Sequence, residues 1–104
     1  MKRINDHVIL KNIVKNSKNI YFSEIAMMKI DDQDILVDIA KNSKSENIRV
    51  KTIKRITNPT IIVDIAKNDK NESVRAKTVK KITNPIIVMD IAKRTKITKF
   101  LPKY

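Results

Sequence analysis

The chain has 104 residues, room for one domain, and sets Lys+Arg 23 against Asp+Glu 11 for a formal net charge of +12. It contains no Cys, Gly or Trp, which excludes disulfides, thiolate metal sites, Cys nucleophiles and the glycine-dependent phosphate turns of P-loops and dinucleotide folds. No apolar run approaches the roughly 20 residues that span a membrane, and Val8-Ile9-Leu10 is too short for a signal-peptide core, so the expected address is the cytoplasm.

Along the chain the strongest signal is self-similarity. Residues 6–32 read as a degenerate first copy, in which Ile13, Lys15, Asn16, Lys18, Phe22 and Ile30 stand 26 residues before Ile39, Lys41, Asn42, Lys44, Ile48 and Ile56. Residues 33–58 and 59–84 are two regular copies. Asp38-Ile39-Ala40-Lys41-Asn42 recurs as Asp64-Ile65-Ala66-Lys67-Asn68, and Ile56-Thr57-Asn58-Pro59 recurs as Ile82-Thr83-Asn84-Pro85. Residues 85–104 hold a truncated last copy, with Asp90-Ile91-Ala92-Lys93, and a C-terminal cap.

Each copy is predicted to be two helices, A and B. Pro59 and Pro85 suit a first helical turn, where the missing N–H costs nothing. Asn58 and Asn84 suit the N-cap, and a residue before Pro is driven out of the helical region; both demands fall on the same residue. In the first junction Asp32 takes the cap and Gln33 replaces the proline. Helix A is expected to close at Asn68, which tolerates a left-handed C-cap. Helix B is expected to start after Asn71 or Ser45 and run from Glu72 to about Ile82. Ile48, Thr52, Ile53 and Ile56 share one arc of helix B, and Ile61, Ile62, Ile65 and Ala66 make a broad apolar face on helix A. Neither pair can bury its face alone, and stacked neighbours would do so.

Ile48-Arg49-Val50-Lys51-Thr52-Ile53-Lys54-Arg55-Ile56 and Val74-Arg75-Ala76-Lys77-Thr78-Val79-Lys80-Lys81-Ile82 resemble the second-helix pattern of HEAT-like repeats, the short-period HEAT and leucine-rich-variant type. Asp69-Lys70-Asn71 resembles their acidic turn, and the likeness covers roughly residues 6 to 94. It implies an all-α, armadillo-like fold, a right-handed α-solenoid of 26-residue helix–turn–helix repeats, with B helices on the partner-facing concave side. It also implies a structural role for Arg49 and Arg75, each reaching a turn acid or carbonyl of a neighbouring repeat. Some HEAT-like proteins excise damaged bases, but those are longer and rely on Trp and acidic groups, and this chain has no Trp.

No catalytic constellation is expected. Asp38, Asp64 and Asp90 form a row of identical groups without the asymmetry that acid–base chemistry needs, and i,i+3 pairing of the Asp64–Lys67 kind accounts for it. His7 has no companion at metal-ligand spacing, and no cofactor is expected.

The candidate sites are surfaces. Lys51, Lys54 and Arg55, repeated as Lys77, Lys80 and Lys81, lie opposite the core arc of helix B. Such a basic face suits an acidic or amphipathic protein segment, or phosphates. The competing explanation is a lysine-rich solvated face from an AT-rich genome, although Glu, which has AT-rich codons too, occurs only at Glu24, Glu46 and Glu72. Tyr21, Phe22, Phe100 and Tyr104 avoid the regular repeats, so the stripe lacks stacking platforms for single strands. The first copy breaks the stripe: Ile25 stands for Lys51, Met28 for Lys54, and Tyr21 for Asn47. Tyr21, Ile25 and Met28 then form a second apolar face, read either as a contact site or as a patch covered by residues 1–5 or belonging to end capping. Phe100, Leu101 and Tyr104 are expected to close the core. The expected function is a non-enzymatic protein-binding scaffold using the basic face and the apolar patch. The alternative is sequence-independent nucleic-acid binding through the basic face, with room for weak self-association.

Overall fold

The computed structural model describes the backbone of residues 3–95 and the side chains of residues 6–93. These residues form seven helices in chain order: α1 (Arg3–Asn16), α2 (Ile20–Met28), α3 (Gln33–Asn42), α4 (Glu46–Ile53), α5 (Pro59–Asn68), α6 (Glu72–Val79) and α7 (Pro85–Thr95). There is no strand among the described residues. The chain divides into two units, Met1–Ile56 and Thr57–Tyr104. The division falls just before the Asn58-Pro59 start of α5, close to the boundary between the two regular copies.

In the first unit α1 packs on α2 and α3 on α4, while α1 also meets α3 and α2 meets α4. Its core gathers Val14, Ala26, Met27, Ile30, Leu36, Ile39, Ala40, Ile48, Ile53 and Ile56. In the second unit α5 packs on α6 and on α7. Its core joins Ala66, Ala76, Val79 and Ile91, with Val63, Ile82, Ile87 and Val88 packed against them. Burying one isoleucine contributes about 2 kcal/mol, so the side chains recurring every 26 residues supply most of the cohesion of helices this short, which are marginal alone.

The caps repeat with the sequence. Asn58 Oδ1 accepts from Thr60 N at 2.9 Å, Asp32 Oδ1 from Asp34 N at 2.8 Å, and Asn84 Oδ1 from Ile86 N at 2.9 Å. Asn71 Oδ1 accepts from Ser73 N at 2.8 Å, and Ser45 Oγ from Ile48 N at 3.2 Å. Asn19, in the same register, caps α2 by accepting from Tyr21 N at 2.9 Å. Pro59 and Pro85 open their helices. Gln33, where those prolines would stand, instead donates Nε2 to Arg55 O at 2.9 Å.

Helix ends differ from the expectation in two ways. The A helices do not close through a left-handed asparagine. Asn42 and Asn68 remain helical, and the C-caps Ser43 (φ −61°, ψ 141°) and Asp69 (φ −59°, ψ 140°) are extended. The caps' own side chains then hold the turn: Ser43 Oγ accepts from Ser45 N at 3.3 Å and Asp69 Oδ1 from Asn71 N at 2.9 Å. Ser17 Oγ does the same for Asn19 N at 3.1 Å. A turn made of extended residues and side-chain acceptors needs no positive φ, which is how a chain without glycine reverses direction so tightly. The B helices stop at Met28, Ile53 and Val79, three residues short of the expected end in α6. Each then tightens into i→i+3 bonds: Ile30 N to Met27 O at 3.1 Å, Ile56 N to Ile53 O at 3.0 Å, and Ile82 N to Val79 O at 2.9 Å. The tighter winding turns Ile30 and Ile56 into the core.

Candidate functional site

The two arginines that recur in the B helices each reach back into a turn. Arg49 is only 2% exposed and donates Nη1 to Ser43 O at 2.7 Å. Arg75, half-buried, donates Nη1 to Asp69 O at 2.6 Å, and its buried Nε has no hydrogen-bond partner. Both of these bonds reach a carbonyl in the turn of the same helix pair, six residues back, rather than one in a neighbouring repeat. The geometry follows from the extended C-cap, which aims its carbonyl at the start of helix B. Thr52 and Thr78 are buried beside them, and each hydroxyl is satisfied by the carbonyl four residues earlier, at 2.7 and 2.6 Å.

Two members of the aspartate row, Asp38 and Asp64, make structural contacts within and between helices. Asp38 Oδ2 lies 2.8 Å from Lys11 Nζ and 2.9 Å from Lys15 Nζ, both on α1, and Asn42 Nδ2 donates to Asp38 Oδ1 at 2.7 Å. Asp64 Oδ1 accepts from Asn68 Nδ2 at 2.8 Å. The Lys11 hydrogen bond, joined by Asn42 and Lys15 and opposed by burial, holds the Asp38 carboxyl well below the usual carboxylate range. His7 Nε2 sits 3.2 Å from Asp31 Oδ1. No group of three or more His, Cys, Asp or Glu side chains suited to a metal ion occurs among the described residues. No described helix is long and apolar enough to cross a membrane.

The six basic candidates divide. In the first unit, Lys51 Nζ is 2.6 Å from Glu24 Oε2 on α2. Arg55 clamps the end of α2, donating Nη1 to Met27 O and Nη2 to Ile30 O, both at 2.6 Å. Much of the charge at the end of α4 is thus turned toward its neighbour, although Lys51 as well as Lys54 remains exposed there. In the second unit Lys77, Lys80 and Lys81 are all exposed.

The apolar candidates are all at the surface: Tyr21 is 72% exposed, Ile25 50% and Met28 64%. The structure brings Ile25 together with residues that the sequence pattern assigned to the core. Leu10 and Ile13 of α1, with Ser17, face Phe22, Ile25, Ala26 and Lys29 across a groove of about 420 Å³. On α2 these are positions i, i+3, i+4 and i+7, one helical face. Tyr21 and Met28 lie on the same helix but do not line the groove. Phe22 and Ile13 are residues the pattern misplaced: their register equivalents Ile48 and Ile39 are 1% and 0% exposed, whereas Phe22 is 60% and Ile13 36% exposed. The only signal at Phe22 was the aromatic in place of isoleucine. Phe100, Leu101 and Tyr104 lie outside the described residues, as do residues 1–5 as a cover for the patch.

Compared with known protein families, curated proteins and solved structures, the chain matches none.

Proposed function

We propose that this chain is a non-enzymatic, cytoplasmic protein-binding scaffold whose helix pairs belong to a right-handed, HEAT-like α-solenoid. The 26-residue repetition supports the architecture, since caps, turn acceptors and turn-binding arginines recur at the same register positions. The binding reading is carried by one observation: an apolar groove on α1 and α2, lined by Leu10, Ile13, Phe22 and Ile25, stays open to solvent. Exposed apolar concavities of this kind mark partner sites. The exposed Lys54, Lys77, Lys80 and Lys81 favour an acidic partner and keep phosphate-backbone binding as the second reading.

Affinity capture from a nuclease-treated extract, with the wild-type chain and with a Phe22→Ser, Ile25→Ser variant, separates the two. Both positions are exposed, so the variant is expected to keep wild-type stability within about 0.5 kcal/mol. The expected result is protein retained by the wild type and lost by the variant. The nucleic-acid reading wins if nuclease removes everything retained. It then predicts binding to random duplex DNA or RNA that falls steeply between about 50 and 200 mM salt and disappears when Lys54, Lys77 and Lys80 become Glu.

A further inference from the structure

The groove is a copy of a surface that, one repeat later, already holds helices. Leu10, Ile13 and Phe22 stand in register with Leu36, Ile39 and Ile48, and all three of the latter are buried. In that second pair α3 is packed against α1, and α4 against α2. The seat has polar ends as well: Arg55 takes the C-terminal carbonyls of α2 at Met27 and Ile30, and Lys51 takes Glu24. The register equivalents in the open groove are Lys29 for Arg55 and Ile25 for Lys51. One cation is therefore kept where a helix C-terminus would arrive, and an apolar contact replaces the salt bridge. Helix C-termini carry partial negative charge and accept Lys as a partner.

Charge decides what kind of helix fits. Lys29 lines the groove, and Lys18 follows Ser17, which lines it too, in sequence; both lysines are exposed, and neither has an ion pair among the described residues. A second copy of this chain, with formal net charge +12, would bring Lys18 and Lys29 toward the same groups across a two-fold axis. A helix with acidic flanks meets them with opposite charge.

We infer that the α1–α2 groove is the docking site for an amphipathic helix of a partner protein, apolar on one face and acidic on its flanks, with its C-terminal turn at Lys29. This rests on the scaffold reading above and specifies its occupant. The helix packs in the manner that α2 packs on α4. Apolar side chains at i, i+3/i+4 and i+7 enter between Leu10, Ile13, Phe22 and Ile25, and acidic residues on its flanks meet Lys29 at its C-terminal turn and Lys18 toward its other end.

The test uses the full chain and three synthetic peptides of about 16 residues, long enough for helix formation on binding. One has a leucine face with glutamate flanks, one the same face with lysine flanks, and one the glutamate composition scrambled to destroy the face. Fluorescence anisotropy is expected to show the glutamate peptide binding at least about tenfold tighter than either control. Phe22→Ser with Ile25→Ser should cost a further tenfold or so, and Lys70→Ala with Lys93→Ala, exposed residues outside both candidate surfaces, should leave that affinity unchanged. Equal binding of the lysine peptide overturns the acidic assignment, and no binding of the glutamate peptide overturns the helix assignment. If the capture experiment still yields a groove-dependent protein in that last case, the scaffold reading survives while this occupant falls. A dimer in sedimentation that Phe22→Ser dissolves assigns the groove to a second copy instead. Peptide binding that appears only after Phe100→Ser and Leu101→Ser assigns it to the chain's own residues 96–104. Either of these results overturns the proposal.

Discussion

A buried guanidinium has a cost that only its hydrogen bonds offset. Arg49 is nearly sealed and holds Ser43 O, whereas Arg75 is half-buried and leaves Nε unmatched. Arg49→Ala therefore leaves a larger void and strands a buried carbonyl, and should cost about 3 kcal/mol. Arg75→Ala should cost no more than about half of that. Urea unfolding midpoints of the two variants check the order; equal losses would mean that the two arginines are equally well satisfied. At Asp38 the sign is set by its lowered pKa. The carboxylate's contribution is complete above its unfolded value of about 4 and fades as pH falls below that value toward the folded one. Asp38→Asn should be about 1 kcal/mol less stable than wild type at pH 7, and this gap should narrow progressively as pH falls below about 4. A gap that stays constant with pH would remove the charge from the explanation.

At the scale of elements, every described B helix begins at a side-chain cap and ends in a tightened turn that delivers an isoleucine inward. Asn71→Ala, which leaves Ser73 N and Val74 N without their acceptor, should cost about 1 kcal/mol by thermal denaturation. A glycine after a helix usually helps, but here the C-cap is extended and its side chain accepts a turn hydrogen bond. Asp69→Gly and Ser43→Gly should therefore destabilise, by about 1 kcal/mol each; a rise in melting temperature for either would contradict the extended turn. The helix starts were legible because capping is local chemistry at one or two residues. The helix ends were not, because the choice between i→i+4 and i→i+3 winding is settled by where Ile30, Ile56 and Ile82 must go, and that depends on packing.

At the scale of the whole molecule, the excess of positive charge matters most. With a formal net charge of +12, self-repulsion opposes folding, and added salt screens it. The melting temperature should rise by several degrees between about 10 and 200 mM NaCl, since a gain of 1 kcal/mol is worth roughly 4–8 °C in a chain of this size. A fall would mean that the attractive pairs, such as Lys11 and Lys15 with Asp38, outweigh the net repulsion.

The sequence by itself determined the all-helical class, the register of 26, the N-capping residues and most core positions of the two regular copies, because periodicity and N-caps are properties of a few neighbouring residues. It also exposed the departure of Tyr21, Ile25 and Met28 from the basic stripe. Only the tertiary structure decided that Lys51 and Arg55 turn back to bind α2, and that Arg49 serves its own turn. It alone decided that Phe22, in register with a core isoleucine, opens instead onto a solvent groove with Leu10 and Ile13. The reason is physical: apolar spacing states which face a helix must bury, but not whether anything is packed there, and a cation's neighbours are chosen across helices rather than along the chain.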